Sequence, residues 1–209
     1  MTMLPDLFRD EVFRIETPRL WLRWPRPADA SQLDKAASVK DVAEMTASWP
    51  HPLPDGEALR RIGRLRQANA NGESLVLAMA PKREPDRLIG MLGVHVVPEA
   101  GHLALGYLLG APFHGRGLMS EAVLALASAA FTYSGFSRIR ASSRIINPAS
   151  ARVLDKCGFA RLGPGVQQAA ARGGAIDVEN FELRREDWRR RTVASRRRAA
   201  QGRGEAHAS

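Results

Sequence analysis

Two short stretches of this chain carry residue types whose spacing can do chemistry. The first, Pro112 to Ala122, reads PFHGRGLMSEA and sets Gly115 and Gly117 one residue apart, where an extended apolar run gives way to a helical pattern. Glycine lets backbone approach an anion closely, and the first turn of a following helix aims unpaired N–H groups and its positive dipole end at the same place. Such a turn can hold a phosphate, with Arg116 as a mobile positive charge. A plain strand-to-helix turn is the competing reading, because a lone Gly-x-Gly is common. The second stretch, Asn147 to Phe159, reads NPASARVLDKCGF. Asn147 suits an N-cap, Pro148 a first helical position and Gly158 the end of the same short helix, with Ser150 one turn along it.

The elements that must position these residues alternate along the chain. Leu20 to Arg23 is a first strand, and Pro27 to Lys40 and Asp55 to Asn71 are helices separated by the turn-rich SWPHPLPDG. Strands follow at Ser74 to Ala80, Leu88 to Val97 and His102 to Leu109, then a helix from Leu118 to Phe131 with no internal Gly or Pro. A strand at Arg138 to Ile145, the short helix from Pro148, a strand at Phe159 to Leu162 and a last strand at Ala175 to Leu183 complete the order. GPGVQQAAARGG, between the last two strands, reads as a mobile loop. Hairpins first and helical crossovers later predict an α/β fold with a mixed sheet and helices on both faces.

At 209 residues, 44% apolar and 25% charged, the chain supports one domain with a sizeable core. No apolar run reaches the length of a membrane span, and MTMLPDLFRDEVF lacks the basic-then-apolar order of a signal peptide, so a cytoplasmic protein is expected. The lone Cys157 forms no internal disulfide and reads as a small buried hydrophobe. The net charge of +9 is unevenly spread: from Arg184 to Ser209 nine arginines face Glu186, Asp187 and Glu205, a net of +6. The division is therefore one domain over residues 1–188 and an Arg-rich tail over 189–209, a frayed helix followed by disorder. Such a tail could hold RNA or a ribosome electrostatically, though a solvated tail is the better reading. Zinc-type Cys/His spacing, a Gly-Lys-Ser phosphate loop and a serine-triad elbow are all missing, so no metal, ATP or triad chemistry is expected.

The two stretches together resemble the GNAT N-acetyltransferases, and within them the RimJ/RimL-like branch. The family's G-x-G-x-x-[ST]-E-A turn is matched by Gly115, Gly117, Ser120, Glu121 and Ala122. Its N-x-x-S-x-x-x-L-x-K-x-G-F segment is matched by Asn147, Ser150, Leu154, Lys156, Gly158 and Phe159. TPRLWLRWPRPADA, from Thr17 to Ala30, looks like the family's opening strand and first helix. The resemblance spans about residues 12–188 and implies a mixed, mostly antiparallel sheet with helices on both faces, and acetyl-CoA as co-substrate. It implies that the strand before the glycine turn splays from its neighbour, with Leu108 and Leu109 bonding the pantetheine arm through main chain. The pyrophosphate would sit on N–H groups of His114, Gly115, Arg116, Gly117, Leu118, Met119 and Ser120. Pro112 departs from the Arg or Gln that usually opens the signature.

By the same resemblance Asn147 contacts the pantetheine or acetyl region and Ser150 donates to the departing sulfur; the plainer roles are a helix cap for Asn147 and an ordinary first-turn residue satisfying backbone for Ser150. Relatives often carry a Glu two residues before the Gly-Tyr of the central strand, where this chain has Ala104 before Gly106 and Tyr107. Candidates for the base are His95, with His102, Glu44 and His51 behind it, and His95 is selected. Tyr107 is expected to pack with its hydroxyl bonded. The expected function is acetyl transfer to a primary amine, a protein N-terminus such as that of a ribosomal protein or a small molecule, by a monomer or homodimer. The other reading is a catalytically weak acyl-CoA-binding adaptor with a basic tail. Val42 to Leu53 and Gly163 to Gly174 are expected to line the acceptor opening.

Overall fold

The computed structural model describes residues 3–193. One eight-stranded sheet crosses it in the order β1-β2-β3-β4-β5-β6-β8-β7. The strands are β1 (Arg14–Glu16), β2 (Leu20–Arg23), β3 (Ser74–Pro81), β4 (Gly90–Val97), β5 (His102–Leu109), β6 (Arg138–Arg144), β7 (Ala160–Ala169) and β8 (Gly174–Arg184). Every neighbouring pair is antiparallel except β5 with β6.

Period-two alternation on the central strands feeds two apolar layers. Leu75, Leu77 and Met79 of β3 face α4 (Leu118–Tyr133), whose Ala/Leu-rich sequence buries Met119, Val123, Leu126 and Phe131. Val76 and Ala78 face the opposite way, onto α1 (Ala30–Ala37), α2 (Lys40–Glu44) and α3 (Glu57–Ala70), where Leu33, Val42, Trp49 and Ile62 close the second core. Helices thus cover both faces, as the alternation predicted. α5 (Pro148–Cys157) follows β6, and residues 185–193 form a last helix, α6.

The structure departs from the sequence reading in three places. The helix expected over Pro27 to Lys40 is a 3-10 turn at Pro27–Asp29, then α1, then a break at the extended Val39 before α2. The sequence reading also misses β1, only three residues long. GPGVQQAAARGG is a hairpin rather than a loop: β7 pairs with β8 from Gly163 to Ala169 and reverses through Ala170–Arg172. Pro164 is tolerated because β7 is the sheet's outer strand, where a missing N–H costs no ladder bond. The helix after β8 runs past Trp188 to residue 193, the near part of the stretch expected as a frayed helix. The Trp188 ring lies 5.6 Å from that of Phe131, and Arg191 donates to the Lys156 carbonyl at 3.1 Å. The Arg-rich tail beyond residue 193 lies outside the described residues, none of whose helices is long and apolar enough to cross a membrane.

Candidate active site

The site begins where β5 and β6 part. Their parallel register holds only at Leu103 with Ile139 and Ala104 with Arg140, while β5 continues to Leu109. On its other edge β5 stays paired to β4, and the bond from Gly110 N–H to the Ile89 carbonyl, 2.9 Å, fixes which main-chain groups are spent there. In an antiparallel ladder the bonded pairs alternate. Leu108 is therefore bonded opposite Met91, and the main-chain groups of Tyr107 and Leu109 face the gap left by β6. This corrects the expectation for Leu108, whose polar main chain belongs to the sheet and whose side chain packs with Met91 and Val76. Leu109 faces the gap, its carbonyl lying 2.8 Å from His114 Nε2.

At the end of the gap stands the glycine turn. Gly115 and Gly117 both adopt φ of 74°, a left-handed conformation that favours glycine, and Gly117 caps α4 without any side-chain bond. The first N–H groups of α4, from Leu118, Met119 and Ser120, are left for an outside acceptor. A Cβ built on Gly115 would meet nothing within 4 Å. The turn is held from beneath by a latch the sequence reading did not assign. Arg19 bonds Glu121 through Nε at 2.6 Å and the Arg116 carbonyl through Nη1 at 2.9 Å. Glu121 also accepts from Thr17 Oγ1 at 2.6 Å and from the Arg19 N–H at 2.8 Å. Burial pushes the Glu121 pKa up, but these donors outweigh it and hold the carboxyl below its ordinary range. The signal was present, since Thr17 and Arg19 open the TPRL fragment.

α5 brings the second motif to the same gap. Asn147 Oδ1 accepts from the Ser150 N–H at 3.0 Å, the capping role expected as its plainer reading. Ser150 Oγ lies 2.8 Å from the Tyr107 hydroxyl. Burial pushes Tyr107 up to about 12, so it stays a phenol. Cys157 is buried, its thiol likewise pushed up to about 12 by burial, with Sγ 3.5 Å from the Ser120 carbonyl; it is a packing residue.

The sheet floor carries the base candidates. Register places His95, Ala104, Arg140 and Glu182 side by side across β4, β5, β6 and β8, so these side chains share one face. With only a methyl at Ala104, His95 and Arg140 flank an open position. Desolvation lowers the His95 pKa, which keeps the imidazole neutral at neutral pH. His95 and His102 line the cleft, whereas Glu44 and His51 do not. The cleft has a volume of about 1250 Å³ and runs from the glycine turn to the far side of the sheet. There the two segments expected at the acceptor opening meet. Arg172, in the β7–β8 turn, donates to the carbonyls of Ala43 at 2.8 Å and Thr46 at 3.1 Å and to that of Trp49, and Arg144 donates to the Glu44 carbonyl. Val42, Met45, Thr46 and Trp49 line the opening from one side, Gln167 and Ile176 from the other.

The site therefore combines a parallel pair that parts, a glycine turn with free helix N–H groups and a hydroxyl pair at its edge. The chain belongs to the GNAT family: the description Acetyltransferase (GNAT) domain matches residues 19–160. A curated relative, the Uncharacterized N-acetyltransferase p20 of Bacillus licheniformis, is 31% identical over 173 residues, 82% of this chain and 96% of the relative. The fold is shared with the ribosomal-protein-S5-alanine acetyltransferase of Vibrio fischeri, with a TM-score of 0.70 and 21% identity over 84% of this chain and 98% of that one. It is also shared with RimL, a ribosomal L7/L12 α-N-protein acetyltransferase solved with coenzyme A, at a TM-score of 0.71 and 20% identity over 82% and 98%. The protein is thus an acetyltransferase with acetyl-CoA as donor.

Proposed function

We propose that this protein is an N-acetyltransferase of RimJ/RimL type that moves the acetyl group directly to a primary amine with both substrates bound. The observation that carries the reading is the gap between β5 and β6 ending at the uncapped α4 N-terminus, since an extended arm fits the first and a pyrophosphate the second. Leu109 and Tyr107 would bond the arm through main chain, Asn147 would flank its acetyl end, and the N–H groups from Gly115 to Ser120 would hold the phosphates. Acetyl-CoA supplies a thioester carbonyl and a thiolate leaving group. Ser150, its hydroxyl paired with Tyr107, would deliver a proton to that sulfur. His95, neutral and beside the open position at Ala104, accepts the proton of the attacking amine. Because its pKa is lowered, this role survives to lower pH than an ordinary histidine would allow and is lost as the imidazole protonates. The acceptor is a protein N-terminal amine or a small-molecule amine, and the cytoplasm is the proposed location.

The test combines thiol release over an amine panel with acetyl-CoA-induced stabilisation. At a concentration of about 100 times the dissociation constant the shift should approach roughly 2.7 kcal/mol. Gly117→Val should remove that shift, whatever the strain at φ of 74° does to the baseline melting point. An unchanged shift would place the cofactor elsewhere. A protein that binds acetyl-CoA but acetylates no amine would be the adaptor instead.

A further inference from the structure

Charge is distributed unevenly along the cleft. Among its described lining residues Asp41 is the one carboxylate, against Arg61, Arg140, Arg144, Arg152 and Lys156. Arg152 and Lys156 belong to α5, beside the proposed phosphate end. The other three stand with the acceptor segments, where no phosphate of the donor accounts for them.

Their partners leave positive charge over. Glu182 is shared between Arg140 at 3.0 Å and Arg184 at 2.8 Å. Glu57 is shared among Arg60, Arg61 and Arg64. Arg144 has no carboxylate within salt-bridge distance among the described residues, and its Nη1 is spent on a carbonyl, that of Glu44. Its Nε is buried without a hydrogen-bond partner. The neighbouring Arg172 is likewise bound only to carbonyls and adds like charge. A guanidinium with a buried, unpaired N–H is costly unless an acceptor arrives. Alternation on β6 puts Arg140, Ser142 and Arg144 on the face that carries Ala104 and His95.

We propose that the acceptor amine carries an oxyanion, carboxylate or phosphate, held by Arg144 with Arg140 on the cleft floor, and that polycationic amines are rejected. This rests on the acetyltransferase reading and narrows its substrate class. A guanidinium donates to such a group through charge-assisted, bidentate hydrogen bonds. The same field disfavours a second ammonium, so diamines and amino-sugar antibiotics are poor acceptors.

The experiment uses matched pairs in the thiol-release assay: leucine with leucinamide, phosphoethanolamine with ethanolamine, and Ser-Asp-Ala-amide with Ser-Asn-Ala-amide. 1,5-Diaminopentane serves as the dication. These arms separate a free carboxylate, a phosphate and an acidic peptide. At least one charged member should exceed its neutral twin by about 10-fold or more in kcat/KM, as a charge-assisted contact predicts. Arg144→Gln should abolish that ratio through KM, and Arg144→Lys should restore part of it, both still stabilised by acetyl-CoA. Neutral members used as well as charged ones, or a preference for the diamine, would overturn the proposal while leaving the acetyltransferase reading intact. Calorimetry on the CoA-bound protein needs no turnover: N-acetyl-leucine or N-acetyl-phosphoethanolamine should bind more tightly than its neutral counterpart to wild type but not to Arg144→Gln. Equal binding of both pairs would also overturn it.

Discussion

The two ends of the cleft are built from different materials. At the proposed cofactor end the groups on offer are main chain: the edge of β5, two left-handed glycines and the bare start of α4. At the acceptor end they are side chains gathered from α2, β4, β6 and the β7–β8 hairpin, tied together by Arg144 and Arg172. A main-chain site needs glycine, a cap residue and a helix start, all local in sequence. A side-chain site depends on which strands become neighbours, and no short motif encodes it. The main-chain end is therefore legible as a short motif, and the side-chain end is not.

The largest expected effect falls where the two ends meet. Ser150→Ala should bind acetyl-CoA almost normally while turnover drops on the order of 10- to 1,000-fold. Because Ser150 and Tyr107 share one hydrogen bond, Tyr107→Phe should be strongly non-additive with it in steady-state kinetics. Full additivity, or undiminished turnover, would remove the pair from the mechanism.

Next comes the latch beneath the glycine turn. Glu121→Ala strips the acceptor from Thr17 and Arg19 and should cost about 2–4 kcal/mol in denaturant unfolding. The folded-state pKa of Glu121 is lowered, so its contribution is complete above the ordinary 4.5 and is lost as pH falls through the lower folded value. Glu121→Gln should accordingly flatten the acid limb of the stability curve below about pH 4.5. The acceptor end offers the contrasting variant. Arg172→Ala should raise KM for the amine several-fold and cost about 1–2 kcal/mol, with the acetyl-CoA dissociation constant unchanged. A loss of cofactor affinity there would mean that the two ends are not separable.

The smallest effect is expected from the tail. Cleavage before Ala194 leaves the Trp188 and Arg191 contacts in place, and cofactor binding and small-amine turnover should match the full chain. If the tail also binds RNA, that binding and its salt dependence should fall together on truncation. Lost cofactor binding would show instead that the tail packs on the domain.

What was legible in the sequence follows the same division. Asn147, Pro148 and Gly158 mark α5 at both ends because a cap, a fixed φ and a left-handed exit act within one or two residues. The β5 strand and the α4 start were equally local. Leu108 was misassigned because the direction of a carbonyl depends on the register with β4, which composition does not encode. The continuation of β7 from Gly163 to Ala169 was hidden by its Gly, Pro and Ala content, and only pairing with β8 makes it strand. Arg19 reaches Glu121 across 102 positions and Arg172 reaches Thr46 across 126, separations at which spacing carries no information.

The contrast between a main-chain cofactor end and a side-chain acceptor end can be measured directly by amide hydrogen exchange with and without acetyl-CoA. The account predicts that the cofactor protects the amides of Tyr107, Leu109 and Gly115 to Ser120, with little change at residues 43–49 or 163–174. Protection confined to the acceptor segments, or none at the glycine turn under saturating cofactor, would contradict it.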